Sequence, residues 1–177
     1  FLGENTVLGA GCFMGCGNLN NIALPSKLER IPDNTFSAAK KLANISLPKT
    51  LRYLGASAFY GCVALKDIEL VQSVDFIGDY AFFGCEALLN VKMPQEVSFM
   101  GIAVFGCCYD LKTVELPKNL TILPEATFSC CFGLKNITIE ENIKTVSKFS
   151  FEKSENVEIT VKGMETNFEV NSFSEMG

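Results

Sequence analysis

The sequence predicts a repeat solenoid: a stack of 23-residue coils with short parallel strands, mainly β and irregular, with little helix. Two observations predict it. Seven phenylalanines recur at an unbroken interval of 23: Phe13, Phe36, Phe59, Phe82, Phe105, Phe128 and Phe151. Other apolar positions keep phase with them, and a strict period in this range is the signature of coils that stack on their neighbours.

Six residues after each Phe stands Leu19, Leu42, Leu65, Leu88, Leu111, Leu134 or Val157. Nine and eleven after it come Ile22 and Leu24, Ile45 and Leu47, Ile68 and Leu70, Val91 and Met93, Val114 and Leu116, Ile137 and Ile139. Two further apolar slots follow at fifteen and eighteen, as in Val74 and Ile77. One coil cannot bury this set alone, because half of each contact surface comes from the next coil. The Ile-x-Leu segment reads as a strand with two inward residues and one outward residue between them. Pro25, Pro48, Pro94 and Pro117 follow it and mark the end of the strand ladder, since proline lacks an N–H. Pro32, Gly55, Gly78, Gly101 and Pro124 mark a second corner. Small residues before the Phe (Thr35, Ala58, Ala81, Thr127) let that corner approach its neighbour. At ~4.8 Å between strands, seven coils span roughly 30–35 Å.

The run Leu-x-x-Ile-x-Leu-Pro-x-x-Leu-x-x-Ile-Gly-x-x-Ala-Phe-x-x-Cys resembles the BspA-like (Treponema-type) leucine-rich repeat family. The copy from Leu65 to Cys85, LKDIELVQSVDFIGDYAFFGC, matches at nearly every key slot, with Val71 in place of the Pro. The similarity runs from Leu8 to about Phe173. It implies a right-handed leucine-rich-repeat stack and a cell-surface or secreted binding module of adhesive type. A cytoplasmic or complex-bound location is the alternative.

Residues 1–151 form seven phases of the repeat, beginning mid-repeat, and 152–177 read as a degenerate last coil or C-terminal cap. There Lys162 and Glu169 occupy slots that are apolar earlier, and Phe173 comes one residue early. The chain opens at Phe1 without Met or a signal-peptide pattern, which reads as a fragment or processed chain.

Composition narrows the function. A net charge of −5 without a basic stripe argues against nucleic-acid binding. No apolar run approaches the ~20 residues that span a bilayer, so no membrane insertion is expected. The sequence has no His, which removes the commonest general base and the Ser-His and Cys-His pairs. No phosphate-cradling Gly motif is present either. Carboxylates such as Asp67 and Glu69 lie close together, but glycoside hydrolysis needs a cleft and a raised pKa on one partner. The expectation is a non-catalytic module without cofactor or metal.

Eight cysteines invite three readings. Cys16, Cys62, Cys85, Cys108 and Cys131 sit three residues after the Phe, Cys107 and Cys130 two after it, and Cys12 one before. A ladder of small buried thiols is the favoured reading, because free Cys packs as a small hydrophobe. A bridge such as Cys107 to Cys130 lies within disulfide reach, though ladder side chains run parallel. Zinc would need ligands that converge on one point, whereas the repeat already explains the Cys spacing.

Two surfaces are candidates for binding a protein or cell-surface ligand. Outward strand residues form a panel: Asn44 and Ser46, Asp67 and Glu69, Asn90 and Lys92, Thr113 and Glu115, continued by Asn136 and Thr138. Its recurring Asn could instead satisfy local backbone groups. An aromatic column, Tyr53, Phe76 and Phe99 followed by Ile122, is either an exposed patch or packing beneath a neighbouring corner. The sequons at Asn44, Asn119 and Asn136 follow from the repeat's preference for Asn, Ile and Thr at these slots. Assembly with other chains through the open ends of the stack, as a spacer or subunit, is the rival function.

Overall fold

The computed structural model describes residues 2–155 and 157–174. Eleven short strands are found among them: β1 (Arg30–Ile31), β2 (Tyr53–Leu54), β3 (Phe76–Ile77), β4 (Asn90–Lys92), β5 (Phe99–Met100), β6 (Thr113–Glu115), β7 (Ile122–Leu123), β8 (Asn136–Ile139), β9 (Thr145–Val146), β10 (Glu158–Val161) and β11 (Asn167–Phe168). Every pairing is parallel, and no helix occurs among the described residues. The fold is the expected leucine-rich-repeat solenoid.

The Phe corner is the spine. From Phe13 to Phe173 the rings form one continuous stack with centroids 5.3–5.9 Å apart. This exceeds the ~4.8 Å between strands, as offset stacking requires. Phe36 through Phe151 have no exposed surface. At each Phe, three backbone N–H groups donate to the next coil, from the residue two before, the Phe itself and the residue two after. Thus Ser57, Phe59 and Gly61 donate to Asp79, Ala81 and Phe83, each at 2.8 Å. The residues two before and two after carry positive φ throughout, between 50° and 71°. That left-handed conformation turns the flanking amides along the stack axis while the ring points inward.

Two strand columns run beside this spine, where the sequence pattern indicated one. The Ile-x-Leu segments supply β4, β6, β8 and β10, with Asn44 and Asp67 contributing single parallel bridges. The unexpected second column lies just before the Gly/Pro corner and comprises β1, β2, β3, β5, β7, β9 and β11. A two-residue strand has too little alternation to show as a pattern.

The corner glycines explain where this second column stops. Gly55, Gly78 and Gly101 donate to the carbonyls of Ile31, Leu54 and Ile77 at 2.8–2.9 Å. A Cβ on Gly78 would lie 2.5 Å from the backbone N of Ala56 in the preceding coil, and one on Gly101 would lie 2.4 Å from that of Asp79. The fourth coil of this run presents Pro124, which lacks the N–H and carries a Cβ. The ladder breaks there, leaving the sheet β1-β2-β3-β5 separate from β7-β9-β11. In the other column β6 bonds to β4 while β8 bonds to β10, so a second break falls one coil later. Phe-corner bonds cross both breaks intact: Phe105 donates to Thr127 at 3.1 Å and Phe128 to Ser150 at 2.8 Å.

The last coil corrects one expectation. Ser154 still faces Cys131, 23 residues earlier, yet Glu158 pairs with Asn136, only 22 earlier. One residue is therefore lost between Ser154 and Glu158. The shift places Ile159, Val161 and Phe168 opposite Ile137, Ile139 and Val146. Lys162 and Glu169 thus lie outside the inward slots and are exposed. The apparent fraying was a change of register.

Replacing Phe82 by Ala removes a fully buried ring from the stack and is expected to destabilise the fold by about 3–5 kcal/mol in chemical denaturation. An unchanged unfolding midpoint would show that this ring carries no packing. Gly78→Ala should cost about 1–3 kcal/mol through overpacking against Ala56. Hydrogen exchange should then open first at the Gly78 amide, and equal protection in both proteins would contradict the close approach.

Candidate functional site

The strand panel stands where the sequence placed it. Asn44, Ser46, Asp67, Glu69, Asn90, Lys92, Thr113 and Glu115 are all exposed, while the residues between them, Ile45, Ile68, Val91 and Val114, are buried. Register holds the exposed residues in two rows: Asn44 opposite Asp67, Asp67 opposite Asn90, Asn90 opposite Thr113, and Lys92 opposite Glu115. The Thr113 hydroxyl donates to Asn90 Oδ1 at 2.9 Å, which ties one pair of the first row together. Among the described residues the side chains of Ser46, Asp67, Glu69, Lys92 and Glu115 make no hydrogen bond or ion pair within the chain. Their polar groups are left to solvent or to a partner.

A concavity of about 840 Å³ opens on this panel at the β6–β8 break. Thr113 and Glu115 line it, as do Asn136 and Thr138, whereas Asn44 through Lys92 lie outside it. Sequence reasoning missed Gln95, Lys118, Glu140 and Asn142 in its walls. They belong to turns after the strands and surround the hollow where β6 and β8 part. Glu140 is held by Lys162 at 2.9 Å, and the Asn142 amide donates to the carbonyls of Pro117 and Leu120.

The aromatic column lies on the second strand face. Tyr53, Phe76 and Phe99 head β2, β3 and β5 and stack with centroids 4.6 Å apart, nearly parallel. Tyr53 and Phe76 are half-buried by this stacking, while Phe99 is exposed. Arg30 covers the far side of Tyr53, its guanidinium carbon 3.8 Å from the ring centroid. The column is thus neither an open patch along its length nor packing beneath a corner. It is a rod of rings open at one end.

The cysteines divide by phase. Cys62, Cys85, Cys108 and Cys131 are buried, and each thiol donates to the carbonyl of the Phe in the preceding coil, Phe36, Phe59, Phe82 and Phe105, at 3.1–3.2 Å. Ser154 takes the same slot in the last coil and donates to Phe128. A hydroxyl serves there as a thiol does, a role beyond the packing read from sequence, while Ala39 fills the same buried slot after Phe36 without a donor. Burial pushes the Cys62 thiol up to about 12 from its ordinary 9.0, and pushes Cys85 and Cys108 well above it. Cys12 and Cys16 break the expectation of a fully buried ladder: they are exposed, on the outermost described coil. Cys107 and Cys130 are half-buried neighbours, and burial foremost, then the charge of Cys130, raises the Cys107 thiol. All eight are free thiols. Cys108 and Cys131 turn inward to Phe carbonyls, so the four thiols of these two coils do not converge.

Comparison with known proteins agrees with this geometry. The model of the BspA type leucine rich repeat region matches residues 6–113 and 55–176, overlapping stretches that cover nearly the whole chain. The chain belongs to this family. Among solved structures, a leucine-rich repeat protein from Bacteroides ovatus is 31% identical with a TM-score of 0.82, the match covering 92% of this chain and 40% of that one. The T. pallidum leucine rich repeat protein is 34% identical with a TM-score of 0.69, covering 71% and 58%. A protein from Eubacterium ventriosum shares the fold at 18% identity and a TM-score of 0.61. The chain spans less than two thirds of each of these relatives. No curated protein matches it significantly.

The buried thiols of this BspA-type stack predict a pH dependence. Each favours its neutral form in the folded state, so the stability it lends is complete below pH 9.0 and, for Cys62, is lost as pH rises towards about 12. Cys62→Ser keeps a donor for Phe36 and removes the titration. Above pH 9 this variant should lose less stability than the parent, by about 1.4 kcal/mol per pH unit. Parallel stability–pH curves would contradict the assignment.

Proposed function

We propose that this solenoid is a non-catalytic protein-binding module of adhesin type, acting at a cell surface or in a secreted protein, and that its strand panel is the contact surface. The observation that carries the reading is the row of exposed side chains without intramolecular partners, Ser46, Asp67, Glu69, Lys92 and Glu115, held on a buried apolar ladder. Their identities change from coil to coil while the inward residues stay fixed in type, which is the pattern of a surface freed from packing constraints. Because the ladder holds them in place, binding orders little further chain and loses little conformational entropy. Affinity would be spread over several coils, with the hollow at Thr113 and Glu115 the deepest point of contact. Membership of the BspA-type repeat family supports a binding role, and the free carboxylates and ammonium on the panel suit a partner with both charge signs.

The test is a binding screen of the folded domain against an array of secreted and surface proteins, repeated with a panel variant. Glu69→Ala, Lys92→Ala and Glu115→Ala together should leave thermal unfolding unchanged and weaken a partner retained by the parent by at least about tenfold. A partner held equally by both proteins would show that contact runs through another face.

A further inference from the structure

The aromatic rod ends at a break in the strand ladder, and the chemistry of that break specifies a ligand. One face of Phe99 lies on Phe76, with ring centroids 4.6 Å apart and planes 8° from parallel. Its other face therefore points along the stack towards Ile122, across the gap between β5 and β7. Phe99 is 47% exposed and Ile122 50%. Both line a cleft of about 480 Å³ together with Met100, Ile102 and Pro124.

The polar groups of this cleft are mostly acceptors. Carbonyls equivalent to Ser98 and Met100 receive the next coil in the coils before: Arg52 and Leu54 accept from Asp75 and Gly78, and Asp75 and Ile77 accept from Ser98 and Gly101. No backbone bond from the following coil reaches Ser98 or Met100 among the described residues: Pro124 stands where the donor to Met100 would be, and across the parted ladder Thr121 and Ile122 do not reach Ser98. Three carboxylates, Asp79, Glu125 and Glu169, complete the lining, and no cationic side chain lines it. Lys148 reaches Glu125 from outside at 3.4 Å, leaving an excess of negative charge. Asp79 and Glu169 each accept one backbone N–H, from Ile102 and Lys148, and keep acceptor capacity.

An aromatic face bordered by carboxylates and unused carbonyls calls for a planar, donor-rich cation. Guanidinium meets all three requirements: it stacks on rings, carries charge and projects five N–H donors in its plane. The opposite end of the same rod shows the arrangement in place, with Arg30 over Tyr53 at 3.8 Å. We propose that the cleft between Phe99 and Ile122 binds the guanidinium of an arginine side chain presented by a partner protein. The site lies on the second strand face, and its test is independent of the strand panel.

The experiment is an NMR titration of the whole chain with N-acetyl-arginine amide and, separately, N-acetyl-lysine amide, which share charge and backbone. Saturable amide shifts at Gly101, Ile102, Thr121 and Ile122 are expected with the arginine probe, and binding about threefold or more weaker with lysine. Phe99→Leu keeps apolar bulk without the π face and should abolish the preference, while Phe99→Tyr should retain it. Asp79→Asn keeps an acceptor for Ile102 and should weaken arginine binding about twofold or more. The triple panel variant should leave the titration unchanged, so failure of the panel reading would not be mistaken for failure here. Equal affinity for both probes, or an arginine preference that survives Phe99→Leu, would overturn the proposal.

Discussion

Everything in this solenoid depends on the Phe corner, where each ring is flanked by two residues held in the left-handed backbone region. That alternation aims three amides at the next coil and one ring at the core. Among the described residues eleven of the positions with positive φ are not glycine, and they include Tyr80, Ala103, Ala126 and Phe149. Such residues cost about 1–2 kcal/mol each in this conformation. The offset comes from the stack itself: a buried ring and three inter-coil hydrogen bonds at every boundary, with a thiol or hydroxyl from the adjacent coil closing the Phe carbonyl in much of the stack. No single coil could hold this geometry, because every one of these compensations comes from a neighbour.

A continuous spine leaves the strand faces freer to vary. Both strand columns are interrupted, at β5–β7 and at β6–β8, while the Phe-corner bonds pass through unbroken. The two interruptions coincide with two hollows, one polar on the panel and one aromatic and acidic beyond Phe99. The hollows thus lie where the strand ladders part, and the spine runs on past them.

Much of this was legible in the sequence for a physical reason. A 23-residue period repeats one structural solution, so inward and outward positions separate by phase, and Asn44 through Glu115 fall on the exposed side without exception. The second strand column was not legible, since two residues cannot display an alternation. The register slip was partly legible: Phe173, 22 residues after Phe151, implies one deleted residue, but Lys162 and Glu169 looked like core defects until the pairing of Glu158 with Asn136 placed the loss after Ser154 and realigned Ile159, Val161 and Phe168. The cysteines were half legible. Phase identified Cys62, Cys85, Cys108 and Cys131 as buried, but only their contacts with the Phe carbonyls showed that these thiols also act as donors.

The sequence by itself determined the solenoid, the identity of its core columns and the membership of its polar panel, because these follow from periodic burial. Tertiary structure decided what lies between coils: that Gly78 is jammed against Ala56, that Pro124 therefore parts two strands, and that Phe99 is left with one face uncovered. Those outcomes depend on distances between residues 22 to 26 positions apart, and a period records that such residues meet without recording how closely.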